Sequence, residues 1–192
     1  MDLPEKPVAS VSSSTLITGM VAGLFFMAMS VQVLFPKLPI PFLGVLAAAL
    51  TSVDFICHEI GHILFGFLGE FIAVLGGTLS QLFLPVVCLL LTLRKRQWFS
   101  VSFFGFWIGQ SLIQISTYIK DAQAQKLKLF SPGTLFGGGS PIHDWHYLLG
   151  TLNLLWADQF LGWSVFSLGF ILMMLSAGLM FARAAGYVSN QN

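Results

Sequence analysis

The sequence predicts an all-α integral membrane protein: about five transmembrane helices plus one short re-entrant or half-helix. Three observations carry this. Of 192 residues, 56% are hydrophobic and only 9% charged, with a mean hydropathy of +0.83, against about 25% charged residues in an ordinary soluble domain. The apolar residues fall in runs near the roughly 20 residues needed to cross a bilayer. Prolines, glycines and charged clusters punctuate those runs. The net charge of +1 offers no electrostatic footprint for nucleic acid.

Residues 1–14 are polar, with Pro4, Pro7 and three consecutive serines, and read as a disordered tail. A single transmembrane domain is expected over 15–186, with a short tail over 187–192. The first span covers about 16–35. It is too long for a signal-peptide core, and Pro36, Pro39 and Pro41 stop it. The second covers about 42–68 and ends at Gly69-Glu70. The third covers about 71–93, contains Gly76-Gly77 and Pro85, and closes on Arg94-Lys95-Arg96. The fourth covers about 98–119 and the fifth about 162–182.

Between the last two spans, residues 120–142 form a polar, glycine-rich loop. Its first part, Lys120 to Lys128, is helix-prone and extends the fourth span or lies at the membrane surface. Gly133 to Pro141 is loop chemistry. The apolar run from Tyr147 to Ala157 is too short to span and reads as the half-helix, tolerated where protein or a watery cavity covers it. The basic cluster at 94–96 favours a cytoplasmic loop, which places the N-terminus on the opposite side.

The second span holds His58-Glu59-Ile60-Gly61-His62. Histidines four residues apart on a helix project from one face and can share one zinc ion, with Glu59 as general base on a water. Ionisable groups in hydrocarbon cost on the order of 2.5–3.5 kcal/mol each, so a functional site is the default reading. Cys57, rotated about 100° from His58, is a packing residue.

A catalytic zinc takes three protein ligands and keeps one position open. The two remaining histidines, His143 and His146, fall in one pentapeptide with Asp144. Folded back over the second span, this cluster would supply the third ligand, with Asp144 and His143 ahead of His146. The competing readings are Asp144 as a helix N-cap and the histidines as interfacial residues beside Trp145 and Tyr147.

Asp54, one turn before His58, could fix the His58 tautomer, serve as a fourth ligand, or be a polar residue of the bundle interior. Gln81 could hydrogen-bond a substrate carbonyl or an oxyanion. Asn153, seven residues after His146, could face the same cavity.

At these residues the chain resembles the site-2 protease family of zinc intramembrane metalloproteases, in its small, domain-poor branch. The resemblance covers about residues 42–157. It rests on the HEIGH motif in a transmembrane helix, on Gly76-Gly77 after it, and on an aspartate motif in a later apolar segment. It implies an aspartate as third ligand, here Asp144, although no glycine follows that aspartate as the family pattern has it. His143 therefore stays a competitor.

The expected activity is zinc-dependent hydrolysis of peptide bonds in or near transmembrane segments, with one zinc per chain. The expected partners are membrane lipid and a transmembrane protein or peptide substrate. The alternatives are a membrane zinc hydrolase acting on lipid amides or esters, and a catalytically silent metal-binding scaffold.

Overall fold

A computed structural model describes residues 11–38, 40–127, 129 and 143–188. Among them all regular structure is helical: α1 (Ser13–Leu34), α2 (Pro41–Phe65), α3 (Glu70–Arg94), α4 (Trp98–Asp121), the short α5 (Asp144–Thr151) and α6 (Asp158–Ala184). Ser12 caps α1 by accepting a hydrogen bond from the Thr15 N–H, so residues 13 and 14 belong to the helix and not to the expected tail. Pro41 opens α2, where its missing N–H costs nothing. A 3₁₀ turn, Gly66–Leu68, prolongs α2 before Gly69 turns the chain at φ 94°, a conformation that glycine adopts without strain.

Four helical stretches are long and apolar enough to cross a membrane: Ser13–Leu34, Pro41–Leu68, Glu70–Arg94 and Leu155–Ala184. α4 coincides with the fourth expected span and has the length to cross, but it is not among the helices apolar enough to do so. It is the centre of the bundle, burying Ser102, Gln110, Ser111 and Ser116 along with Phe106, Trp107 and Ile113. Polar groups are tolerated there because other helices cover them.

α4 and α6 cross at small residues. A Cβ at Gly109 would stand 2.6 Å from the Gly169 carbonyl oxygen, and one at Gly105 would stand 2.8 Å from Ser176 Oγ. α1 packs on the far end of α6, with Gly19 against Ala184 and Gly23 against the Phe181 ring. Phe26 lies 5.7 Å from Phe106, centroid to centroid.

The pairings set the helix directions. Gly105 meets Ser176 and Gly162 meets Lys120, so α4 and α6 are antiparallel. Gly19 meets Ala184 and Gly23 meets Phe181, so α1 and α6 are antiparallel as well. α2 and α3 are antiparallel, with Gly77 against His58 and Gly76 against Phe65. A three-residue turn then reverses α3 into α4.

Hence α1 and α2, although consecutive, both run in the sense of α4. Residues 35–40 can reach no more than about 20 Å, shorter than either helix, so α1 and α2 are staggered along the bundle. The start of α1 therefore lies beside the start of α4 and the end of α6. This corrects the expectation that the N-terminus and Arg94–Arg96 stand at opposite ends. Packing of Gly19 and Gly23 on α6 overrides the alternation that counting spans assumes.

The expected helical extension past Ile119 ends at Asp121. The Asp121 carboxylate turns back to accept the N–H groups of Lys126 and Leu127, both at 2.9 Å. The segment Gly133–Pro141 lies outside the described residues.

Candidate metal centre

The site forms where α2, α3 and α5 meet. His58 and His62 project from one face of α2, and their Nε2 atoms are 3.0 Å apart. α5 brings Asp144 onto them: its Oδ2 is 2.8 Å from His58 Nε2 and 3.3 Å from His62 Nε2. Four-coordinate tetrahedral geometry with bonds of roughly 2.0–2.1 Å would space ligand atoms about 3.3 Å apart. The three atoms lie close to that spacing and form the group that could hold a metal ion.

The chemistry of the donors also fits a cation. His62 Nδ1 lies 3.0 Å from the Ala73 carbonyl oxygen on α3, and donation to that carbonyl leaves Nε2 as a bare lone pair. Asp144 offers only acceptor oxygens when ionised. A single proton, on His58 Nε2, is then all that could bridge three converging acceptors. Side-chain exposures of 21%, 28% and 20% for His58, His62 and Asp144 leave the cluster open to a small ligand.

Glycines permit this approach. A Cβ on Gly77 would stand 2.7 Å from Cε1 of both His58 and His62, and one on Gly61 would collide with the Gly76 carbonyl oxygen. Gly61, Gly76 and Gly77 together let α3 lie against the face of α2 that carries the imidazoles. Glu59 is half-buried beside the cluster, within electrostatic range of His58, His62 and Asp144. It has no hydrogen-bond partner among the described residues.

The other candidates are placed elsewhere. His143, not Asp144, caps α5: its Nδ1 accepts the His146 N–H at 3.2 Å. Its Nε2 faces Asp121 at 3.3 Å. His143 is thus turned away from His58 and His62, because a capping side chain must fold back over its own helix start, while Asp144 in the first turn is free to project outward. His146 holds α5 to the end of α4, with Nδ1 2.8 Å from the Ala122 carbonyl oxygen. Asn153 is past the end of α5, exposed, in a turn at φ 56°, so its expected place on the His146 face is lost with the helix.

Asp54 does not reach the His58 ring. It is 1% exposed and accepts hydrogen bonds from Trp107 Nε1 at 2.7 Å and Ser111 Oγ at 2.8 Å, both on α4. Gln81 on α3 faces the same carboxylate. Asp54 therefore ties α2 to α4, and Gln81 stands beside that tie rather than at His58 and His62.

Four groups escaped the sequence reading. The Ala73 carbonyl is backbone and carries no residue signal. Trp107 and Ser111, four apart on α4, were legible only as a polar-aromatic stripe. Asp121 was visible as the last charged residue of an apolar helix. No family model, curated protein or solved structure matches the chain.

Proposed function

We propose that the protein is a zinc-dependent intramembrane metallopeptidase of the site-2 protease type, hydrolysing peptide bonds in or near transmembrane segments. The observation that carries this reading is the convergence of Asp144 on His58 and His62 beside an unpartnered glutamate in an apolar helix. A zinc ion held by those three residues would lower the pKa of a water toward 7 and polarise the carbonyl under attack.

The chain's own residues supply the rest. Glu59 takes the proton of the attacking water as the C–O bond forms, then delivers it to the amide nitrogen as the C–N bond breaks. Ala73 holds His62 in the tautomer that leaves Nε2 free. Asp54 fastens α2 to α4 through Trp107 and Ser111. A transmembrane substrate must unwind at the scissile bond, since a helical carbonyl is already hydrogen-bonded.

The site supports this reading over the silent scaffold. A structural zinc is closed by four ligands, and His143, which the sequence offered as a further ligand, is engaged with Asp121.

The test is metal analysis of purified protein together with hydrolysis of membrane peptides and of a lipid extract. The expected outcome is about one zinc per chain, peptide cleavage, and no cleavage by Glu59→Gln with its metal retained. Wild type without bound metal would overturn the proposal. Cleavage confined to lipid amides or esters would move the substrate class to lipids.

A further inference from the structure

Gln110, Gln114 and Tyr118 recur every fourth residue of α4, which places them along one face of the helix. Both glutamines reach α2: Gln110 Nε2 donates to Thr51 Oγ1 at 3.3 Å and Gln114 Nε2 donates to the same oxygen at 2.8 Å. Tyr118, one turn on, is exposed, and its ring lies 6.3 Å from the His143 ring. It is within electrostatic range of Asp144. At this level α5 stands between α2 and α4, with Asp144 on His58 and His146 on the Ala122 carbonyl. The glutamine–tyrosine face of α4 therefore leads from Thr51 to the metal-ligand cluster.

The hydrogen bonds at Thr51 fix which way the amides face. Thr51 Oγ1 donates its one proton to the Ala47 carbonyl oxygen at 2.9 Å. It can then only accept, so both glutamines turn their NH₂ groups to it and both carboxamide oxygens are left over. The Gln110 oxygen is buried and has no donor. Among the described residues the Gln114 oxygen receives no hydrogen bond either. Gln114 is the glutamine at the surface: it is half-buried beside the exposed Thr51, Thr117 and Tyr118, whereas Gln110 is 1% exposed.

An unused acceptor in an apolar bundle suits an opened peptide. A transmembrane segment that unwinds frees backbone N–H groups, and each is costly in hydrocarbon until it meets an acceptor. Thr51 lies seven residues before His58, about 10 Å along the helix. An extended chain covers that distance in about three residues.

We propose that Gln114 is a substrate-binding residue. Its carboxamide oxygen accepts a backbone N–H of the unwound substrate, about three residues from the scissile bond, in the cleft between α2 and α4 that Thr51 and Tyr118 flank. The proposal rests on the metallopeptidase reading.

The test is peptide cleavage by full-length protein in detergent, with kcat and KM read separately for wild type, Gln114→Leu and Thr51→Val. Gln114→Leu removes the acceptor. Thr51→Val breaks the same bond between α2 and α4 but keeps the acceptor, so it reports the effect of the helix contact alone. The expected result for Gln114→Leu is a KM raised about five- to tenfold with kcat unchanged, as for a lost hydrogen bond made equally in the ground and transition states. Thr51→Val should keep a KM close to wild type, and both variants should keep their zinc.

A second measurement does not depend on either variant folding well. In Glu59→Gln protein, Tyr118 replaced by the photoreactive p-benzoylphenylalanine should label a bound membrane peptide. The same replacement of Leu175, exposed on α6, should not. An unchanged KM in Gln114→Leu, equal losses in Gln114→Leu and Thr51→Val, or no labelling from the Tyr118 position would overturn the cleft and leave the metallopeptidase reading standing. Wild type that holds zinc and cleaves no peptide would end that reading, and the cleft with it.

Discussion

Gly77 has no side chain because the His58 imidazole occupies that space: a Cβ on Gly77 would come within 2.8 Å of His58 Nε2. Gly77→Ala should therefore push the imidazole off its position. Overpacking of this kind costs about 1–3 kcal/mol. The expected outcome is at least a tenfold loss of zinc affinity, on the scale of an outer-shell change, with helical content retained. Competitive titration against a fluorescent chelator measures it, and unchanged affinity would mean that the two helices can separate without consequence.

Asp144 and His143 should separate cleanly under mutation. Asp144→Ala removes a ligand, so bound zinc should fall to the level of a His58→Ala/His62→Ala double mutant. His143→Ala removes a helix cap, with a stability loss of about 1 kcal/mol and zinc retained. Metal analysis and thermal unfolding of both variants check this. Loss of zinc in His143→Ala alone would assign the third ligand to His143.

Glu59→Gln should leave zinc in place and reduce turnover by about 10²–10⁴-fold, the range for a general base. Glu59→Asp, with its carboxylate drawn back by one methylene, should retain part of the activity. A rate in Glu59→Gln equal to wild type would rule out the proposed proton path.

Asp54 should behave as a fold residue. Asp54→Ala leaves the Trp107 N–H and the Ser111 hydroxyl without their acceptor, at about 1–3 kcal/mol for each buried donor. Asp54→Asn keeps one acceptor oxygen and should cost less. Neither variant, once folded, should lose zinc. Unfolding in detergent with zinc measured on the folded fraction tests this, and zinc lost from a well-folded Asp54→Asn protein would restore Asp54 as a ligand.

Much of this protein was determined by local sequence. The apolar run lengths, the prolines at 36–41 and Gly69 fixed where α1, α2 and α3 end, because span length and backbone breaking are properties of short segments. The four-residue spacing of His58 and His62 put both imidazoles on one face of α2 for the same reason. Tertiary contact decided the rest. Asp144 was singled out over His143 only when α5 was seen to be capped by His143, a choice made by backbone geometry at the helix start. Asp54 lay one turn before His58 in sequence, yet α4 drew it into a separate knot, because Trp107 and Ser111 needed a buried acceptor. The common direction of α1 and α2 also lay beyond the sequence. It depends on Gly19 and Gly23 fitting the end of α6 more than 150 residues away, and no local pattern records so distant a fit.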